Sequence, residues 1–178
     1  MDLTICFAKT SISTLISLCF FISDLNTVVV RGEYSRNALV CASHQLNRDE
    51  NFEIRVESRH PLFAGSLKFG FITTDPPSEN LANIVASLDR WFISGSSLYH
   101  NSNQEQKFML SFFERLGPDD RVTMKRDKTG VVVFQVNGLD LGVAAPNHYN
   151  TIYPFVELDG AVDRVRILSN GNPAYHPS

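Results

Sequence analysis

From residue 26 onward, apolar and polar side chains alternate with a period of two. Phe52, Ile54 and Val56 interleave with Glu53, Arg55 and Glu57, and Leu67, Phe69 and Phe71 with Ser66, Lys68 and Gly70. The same rhythm returns in Val122 and Met124 against Arg121, Thr123 and Lys125, and in Val165 and Ile167 against Arg164 and Arg166. Successive side chains of a strand point to opposite faces, so each run predicts a strand with one face in a core and the other in water. Branched and aromatic residues dominate the inward set, as a pleated, half-buried surface favours.

Turn chemistry punctuates these runs. Asp75-Pro76-Pro77 ends one strand, because proline cannot donate to a ladder. Gly117-Pro118-Asp119-Asp120 precedes another, and Asp127-Lys128-Thr129-Gly130 separates two runs with a glycine free to take positive φ. Asn137-Gly138 between apolar segments predicts a type I′ hairpin turn, whose twist matches that of the flanking strands. Successive hairpins without long helical segments predict an all-β fold, an antiparallel two-sheet sandwich. Helical spacing is confined to Leu81, Ile84, Val85 and Leu88 within Glu79–Leu88, a stretch read as a short helix or an irregular loop. Ser169–Ser178, rich in Asn, Pro and Ser, reads as a mobile tail.

The chain has 178 residues, 43% hydrophobic and 20% charged, which suits one globular domain with a short extension. Its formal charge of −3 argues against nucleic acid as a partner. Cys6, Cys19 and Cys41 form neither a disulfide framework nor a Cys-x-x-Cys pair, and the five histidines are scattered. No metal and no cofactor is expected. The apolar run Ser11–Ile22 has the length of a signal-peptide core, but Asp2 offsets Lys9 ahead of it and the run is too short to span a bilayer. Residues 1–25 are therefore read as a signal-like or flanking extension, 26–168 as the domain and 169–178 as the tail. The absence of an Asn-x-Ser/Thr sequon favours a cytoplasmic location, with secretion as the alternative.

Candidate chemistry is sparse. There is no Gly-x-Ser-x-Gly elbow and no glycine-rich phosphate loop. Asp119 and Asp120 are neighbours on a turn, where side chains diverge, and Ser94-Gly95-Ser96-Ser97 has no evident base. The pattern points to a non-enzyme. Trp91, the single tryptophan, reads either as a core anchor or as a ligand-facing hot spot. Arg121, Lys125, Arg126 and Lys128 surround one hairpin; they read as a solvated face, or as a site for an anionic partner such as a phosphoinositide headgroup. For a protein or peptide ligand the candidate contacts are loop residues with large amphipathic side chains. These are Tyr99, His100 and Asn101, then His148 and Tyr149, and third Arg59 and His60.

An ordered series of motifs resembles the neuralized homology repeat. Leu62-Phe63-Ala64-Gly65-Ser66-Leu67 and the strand that follows are similar to the family's Trp-Ser-Gly-Ser and its apolar strand, with Phe63 in place of the usual tryptophan. Trp91-Phe92-Ile93-Ser94-Gly95 resembles Trp-x-x-Ser-Gly, and Leu116–Val122 resembles Leu-x-x-Gly-Asp-Arg-Val. Val136–Ala144 matches Val-Asn-Gly-x-Asp-x-Gly-Val-Ala almost throughout, and Tyr153–Gly160 resembles the closing strand. Asp159 stands where the family has an aromatic, and the repeat's first strand is hard to recognise in Ser11–Val30. The resemblance covers about Val28 to Leu168. It implies an SPRY-like jelly roll, with Trp91, Phe63, Asn137 and Gly138 as structural residues, that recruits partners such as Notch ligands to ubiquitin ligases. In multi-repeat members, to which this chain is closest in feel, it implies a centrosomal scaffold. The runner-up from another class is a secreted jelly-roll lectin using Trp91, Tyr99 and asparagines to hold sugar. A RING ligase domain needs ordered Cys/His pairs that the chain does not contain.

Overall fold

In the computed structural model, the described residues are 20–23, 28–31, 38–42, 44–65, 67–75, 89–108 and 113–170. Thirteen strands are built from them. They are β1 (Phe20–Ser23), β2 (Val28–Arg31), β3 (Ala38–Cys41), β4 (Glu50–Arg59), β5 (Lys68–Ile72), β6 (Arg90–Ser94) and β7 (Ser97–His100). After them come β8 (Asn103–Lys107), β9 (Arg121–Arg126), β10 (Val132–Val136), β11 (Leu139–Ala145), β12 (Tyr153–Leu158) and β13 (Val162–Asn170). Among the described residues the only helical element is the 3₁₀ turn Phe113–Arg115. The Glu79–Leu88 stretch and residues 171–178 lie outside the described residues, as do 1–19 of the amino-terminal run. Residues 20–23 of that run form β1, which pairs with β2, and Ser169 and Asn170 belong to β13.

One sheet has seven strands in the order β1-β2-β13-β4-β9-β10-β11, the other six in the order β3-β12-β5-β6-β7-β8. All pairings are antiparallel. The all-β sandwich expected from the period-two runs is the observed fold. Phe52, Ile54 and Val56 of β4, Phe69 and Phe71 of β5, and Val122 and Met124 of β9 all face the core between the sheets. Burying a side chain of this kind contributes about 1.5–3 kcal/mol each, which makes the alternating runs the main source of stability.

The six-stranded sheet buries apolar side chains on both faces of β3, β12, β5 and β6. Its far side carries a second buried cluster of Leu39, Cys41, Ile72, Phe92 and Phe155, with Tyr99 and Tyr153 packed against it. The register shows how one strand serves two clusters: Trp91 and Ile93 of β6 enter the main core, while Phe92 between them enters the second.

Asn137 and Gly138 have φ of 51° and 79°, the two positive values that a type I′ turn requires. The turn is tied down by its neighbours. Asn137 donates its side-chain N–H to Asp120 at 2.8 Å and accepts the Arg121 backbone N–H at 2.9 Å. Asp120 also accepts the Gly117 N–H, so it is a turn-forming group.

Candidate functional site

Strand directions sort the loops into two ends. The β4–β5, β6–β7, β8–β9, β10–β11 and β12–β13 connections lie at one end. The β3–β4, β7–β8, β9–β10 and β11–β12 connections lie at the other. The candidate contact residues divide between these ends.

At the first end, the β4–β5 connection forms a knuckle. The His60 backbone N–H donates to the Ala161 carbonyl at 2.7 Å and the Ala161 N–H to the Gly65 carbonyl at 3.3 Å, so both feet of the loop are fastened to the β12–β13 turn. Phe63 donates its N–H to the His60 carbonyl, and Leu62 donates its own to His60 Nδ1. The His60 ring lies 4.7 Å from the Phe63 ring, and the Arg31 guanidinium sits 5.0 Å over its face. Arg31 also donates to the Gly160 carbonyl at 2.6 Å. The product is a braced turn with apolar side chains in water: Leu62 is 85% exposed and Phe63 51%. Phe63 thus stands on the surface and outside the core. Arg59 donates to the Leu116 and Glu114 carbonyls at 3.2 and 3.5 Å, and none of the ion pairs among the described residues involves Arg31, Arg59 or Arg115.

At the other end, Trp91 is 8% exposed and organises its surroundings from within. Its indole stacks on His100 at 4.4 Å and 10°, and its Nε1–H donates to the Tyr149 hydroxyl at 2.9 Å. His100 Nε2 pairs with Asp89 Oδ1 at 2.5 Å. Tyr149 meets Phe71 edge-on at 6.0 Å and carries the His148 ring 4.0 Å away. Burial pushes the Tyr149 hydroxyl pKa above its usual value; the Trp91 hydrogen bond acts against this and the Asp89 charge with it. The structure therefore joins His100 to His148 and Tyr149, residues far apart in the chain, through Trp91. At 8% exposure and as part of the main core cluster, Trp91 is a core anchor and offers no open platform for a sugar ring.

Tyr99 does not join them. It lies on β7, one residue before His100 and hence on the opposite face, where it stacks on Phe92 at 5.3 Å and 12°. Its expected place in a loop is corrected by that register. Asn101 takes the left-handed conformation at φ 57° and accepts the Arg90 backbone N–H at 3.0 Å.

Sequence reasoning missed Arg126. Expected among solvated hairpin cations, it is 2% exposed. It donates to the Leu46 carbonyl at 2.8 Å and to the Tyr149 and Asn150 carbonyls at 2.6 and 3.1 Å, clamping the β3–β4 and β11–β12 loops together. The available signal was its phase: Val122, Met124 and Arg126 share one face of β9. Leu62 and Arg31 were also missed, since their exposure and stacking depend on residues brought in from other strands. Among the described residues no three His, Cys, Asp or Glu side chains converge to hold a metal ion, and no helix is long and apolar enough to cross a membrane.

Comparison with known proteins agrees with this architecture. The sequence model of the Neuralized family matches residues 20–169. The crystal structure of the Drosophila melanogaster Neuralized NHR1 domain is similar with a TM-score of 0.60 at 14% identity, covering 86% of this chain and 94% of that one. A human SPRY domain is similar with a TM-score of 0.63 at 15% identity, covering 87% and 98%. The SPRY domain of human HERC1 gives 0.58 at 15% identity, covering 85% and 92%.

Proposed function

The chain belongs to the Neuralized family, and from that premise we propose that it is a protein-interaction module that grips a partner and performs no chemistry on it. One observation carries the reading: a rigidly braced turn displays Leu62 and Phe63 to solvent. Scattered exposed apolar residues are ordinary, but an adjacent pair on a turn fastened at both feet is preorganised contact area. The Arg31 guanidinium lies over the Phe63 ring and His60 packs beside it, while Arg59, at the foot of the same loop, reaches the Leu116 and Glu114 carbonyls. The partner segment that suits this surface carries an aliphatic or aromatic residue flanked by acidic ones. Within the cell, in the cytoplasm, the module delivers that partner to a ubiquitin-pathway or centrosomal assembly; the resemblance of its ordered motifs to the neuralized homology repeat supports this finer role.

The test is a selection of displayed random peptides on the full chain, counter-screened with Leu62→Asp. Enriched sequences should combine an apolar residue with Asp or Glu and lose at least about tenfold in affinity on the variant, a hot-spot effect of roughly 1.4 kcal/mol. Peptides that bind both proteins equally would place recognition away from the knuckle. Proximity labelling with the wild type and the variant then reads the assembly, whose ubiquitin-ligase or centrosomal components should disappear with Leu62→Asp.

A further inference from the structure

A guanidinium withdrawn from water ordinarily finds a carboxylate, because dipolar acceptors alone compensate a full charge poorly. Among the described residues Arg126 has no such partner. Its three contacts are neutral backbone carbonyls, and its Nε is a buried donor without an acceptor. A second cation stands beside it. Arg48 lies on the β3–β4 loop two residues after Leu46, whose carbonyl Arg126 holds, and its charge adds to burial in lowering the Arg126 pKa. The Arg48 side chain rests against the β9–β10 turn: a Cβ built on Gly130 would lie 3.5 Å from its Nε and 3.6 Å from its Cζ. The same Cβ would lie 3.3 Å from the Asn147 carbonyl, so the three loops meet at this point. None of the ion pairs or side-chain hydrogen bonds among the described residues involves Arg48. Nearby Asp49 faces Lys128 at 3.9 Å, and Asp127 is occupied by the Thr129 hydroxyl and the backbone N–H groups of its own turn.

From this uncompensated pair we infer that the end of the sandwich opposite the knuckle is an oxyanion site, which takes an acidic or phosphorylated side chain of a protein segment. Arg48 is the direct contact. Arg126 supplies a fixed positive field behind it, held by the loops it clamps, and exposed His148 follows Asn147, whose carbonyl faces Gly130. A planar guanidinium suits both carboxylate and phosphate. A protein segment fits better than a membrane surface. Lipid headgroup sites rest on several exposed cations with apolar side chains to insert, whereas the side chains of these loops are neutral, as Gln45, Asn47, Asn147 and Asn150 are, or of mixed sign, with Lys128 facing Asp49 and with Glu50 and Asp127 nearby. The knuckle and this seat use different loops, so the two readings stand or fall separately.

The experiment is an amide-resolved NMR titration of the full chain with the blocked amino acids N-acetyl-phosphoserine methylamide and N-acetyl-glutamate methylamide, at constant ionic strength. Saturable shifts are expected at Arg48, Gly130 and His148, and Arg48→Gln should weaken binding at least about fivefold. The phosphoserine compound binding more tightly identifies a phosphorylated partner, and the glutamate compound an acidic one. Without ligand, Arg48→Gln should melt at or above the wild-type temperature, because the change removes a like charge from beside Arg126. A lower melting point would mean that Arg48 is a structural cation, which overturns the site. Shifts reproduced by sodium chloride alone, undiminished binding by the variant, or binding only to phosphoinositide vesicles would each overturn it too.

Discussion

A methyl group added to Gly70 would sit 1.9 Å from the Trp91 carbonyl oxygen and 2.6 Å from the Phe92 Cα, with no flexible side chain to give way. Gly138 offers the contrast: its φ is +79°, yet nothing lies within 4 Å of where a Cβ would stand. The two glycines are thus required for different reasons, close approach of β5 to β6 at one and left-handed backbone at the other. Gly138→Val should cost about 1–2 kcal/mol, the strain of a positive φ. Gly70→Ala should cost more, about 3 kcal/mol, at the upper limit for overpacking. Denaturant melts read by Trp91 fluorescence measure both, and an equal or reversed order would refute the distinction. Only one of these needs was legible in the sequence. Asn137-Gly138 announces its turn locally, whereas Gly70 is constrained by a strand twenty residues away. Arg126 follows the same logic: its neighbours Arg121, Lys125 and Lys128 suggest a solvated cluster, and the carbonyls that hold it belong to Leu46, Tyr149 and Asn150.

Among the elements, β4, β5, β9 and β13 were legible because each sets apolar against polar side chains over several residues. β8 was not: Asn103-Gln104-Glu105-Gln106-Lys107 is polar on both faces and exposed throughout, so no alternation marks it. β7 follows a Ser-Gly-Ser-Ser turn that makes it look like a loop in the sequence, which hides the fact that Tyr99 and His100 serve opposite faces. The pairing of β4 with β13 carries ionic contacts on its outer face, where Glu57 accepts from Arg166 at 2.5 Å and from Arg55 at 3.3 Å. The Arg166 hydrogen bond is the largest influence on the Glu57 carboxyl and, with Arg55, holds its pKa below the usual glutamate value despite the opposing effect of burial. A group with a depressed folded pKa stabilises above its unfolded pKa, and that contribution disappears as pH falls through the folded value. Glu57→Gln should therefore lower the melting temperature at pH 7 and leave a shallower decline in stability below the usual glutamate range. Identical acid slopes in the two proteins would remove Glu57 from this role.

At the scale of the whole molecule, the two proposals together make the fold a spacer with a working surface at each end. β4 runs the length of the sandwich in ten residues, and at about 3.3 Å per residue it separates the knuckle from the oxyanion seat by roughly 30 Å. Stiffness between them is supplied by the buried core, in which Phe69 packs on both Phe52 at 5.7 Å and Phe134 at 6.5 Å. Perturbations more than about 10 Å apart with no shared partners usually add to within about 0.5 kcal/mol. Neither Leu62 nor Arg48 is buried, and the hydrogen bonds that fix their loops involve different strands. The double variant Leu62→Asp/Arg48→Gln should thus show the sum of the two single effects on stability, within that margin. Peptide affinity at the knuckle should be the same with and without a saturating anion at the other end. Calorimetric titration of the selected peptide in the presence and absence of N-acetyl-phosphoserine methylamide measures this directly. An affinity change beyond about threefold, roughly 0.65 kcal/mol by the same conversion, would reveal coupling through the sheet and refute the rigid spacer. Independence would allow one such domain to hold two segments at once, which is the geometry a bridging adaptor needs.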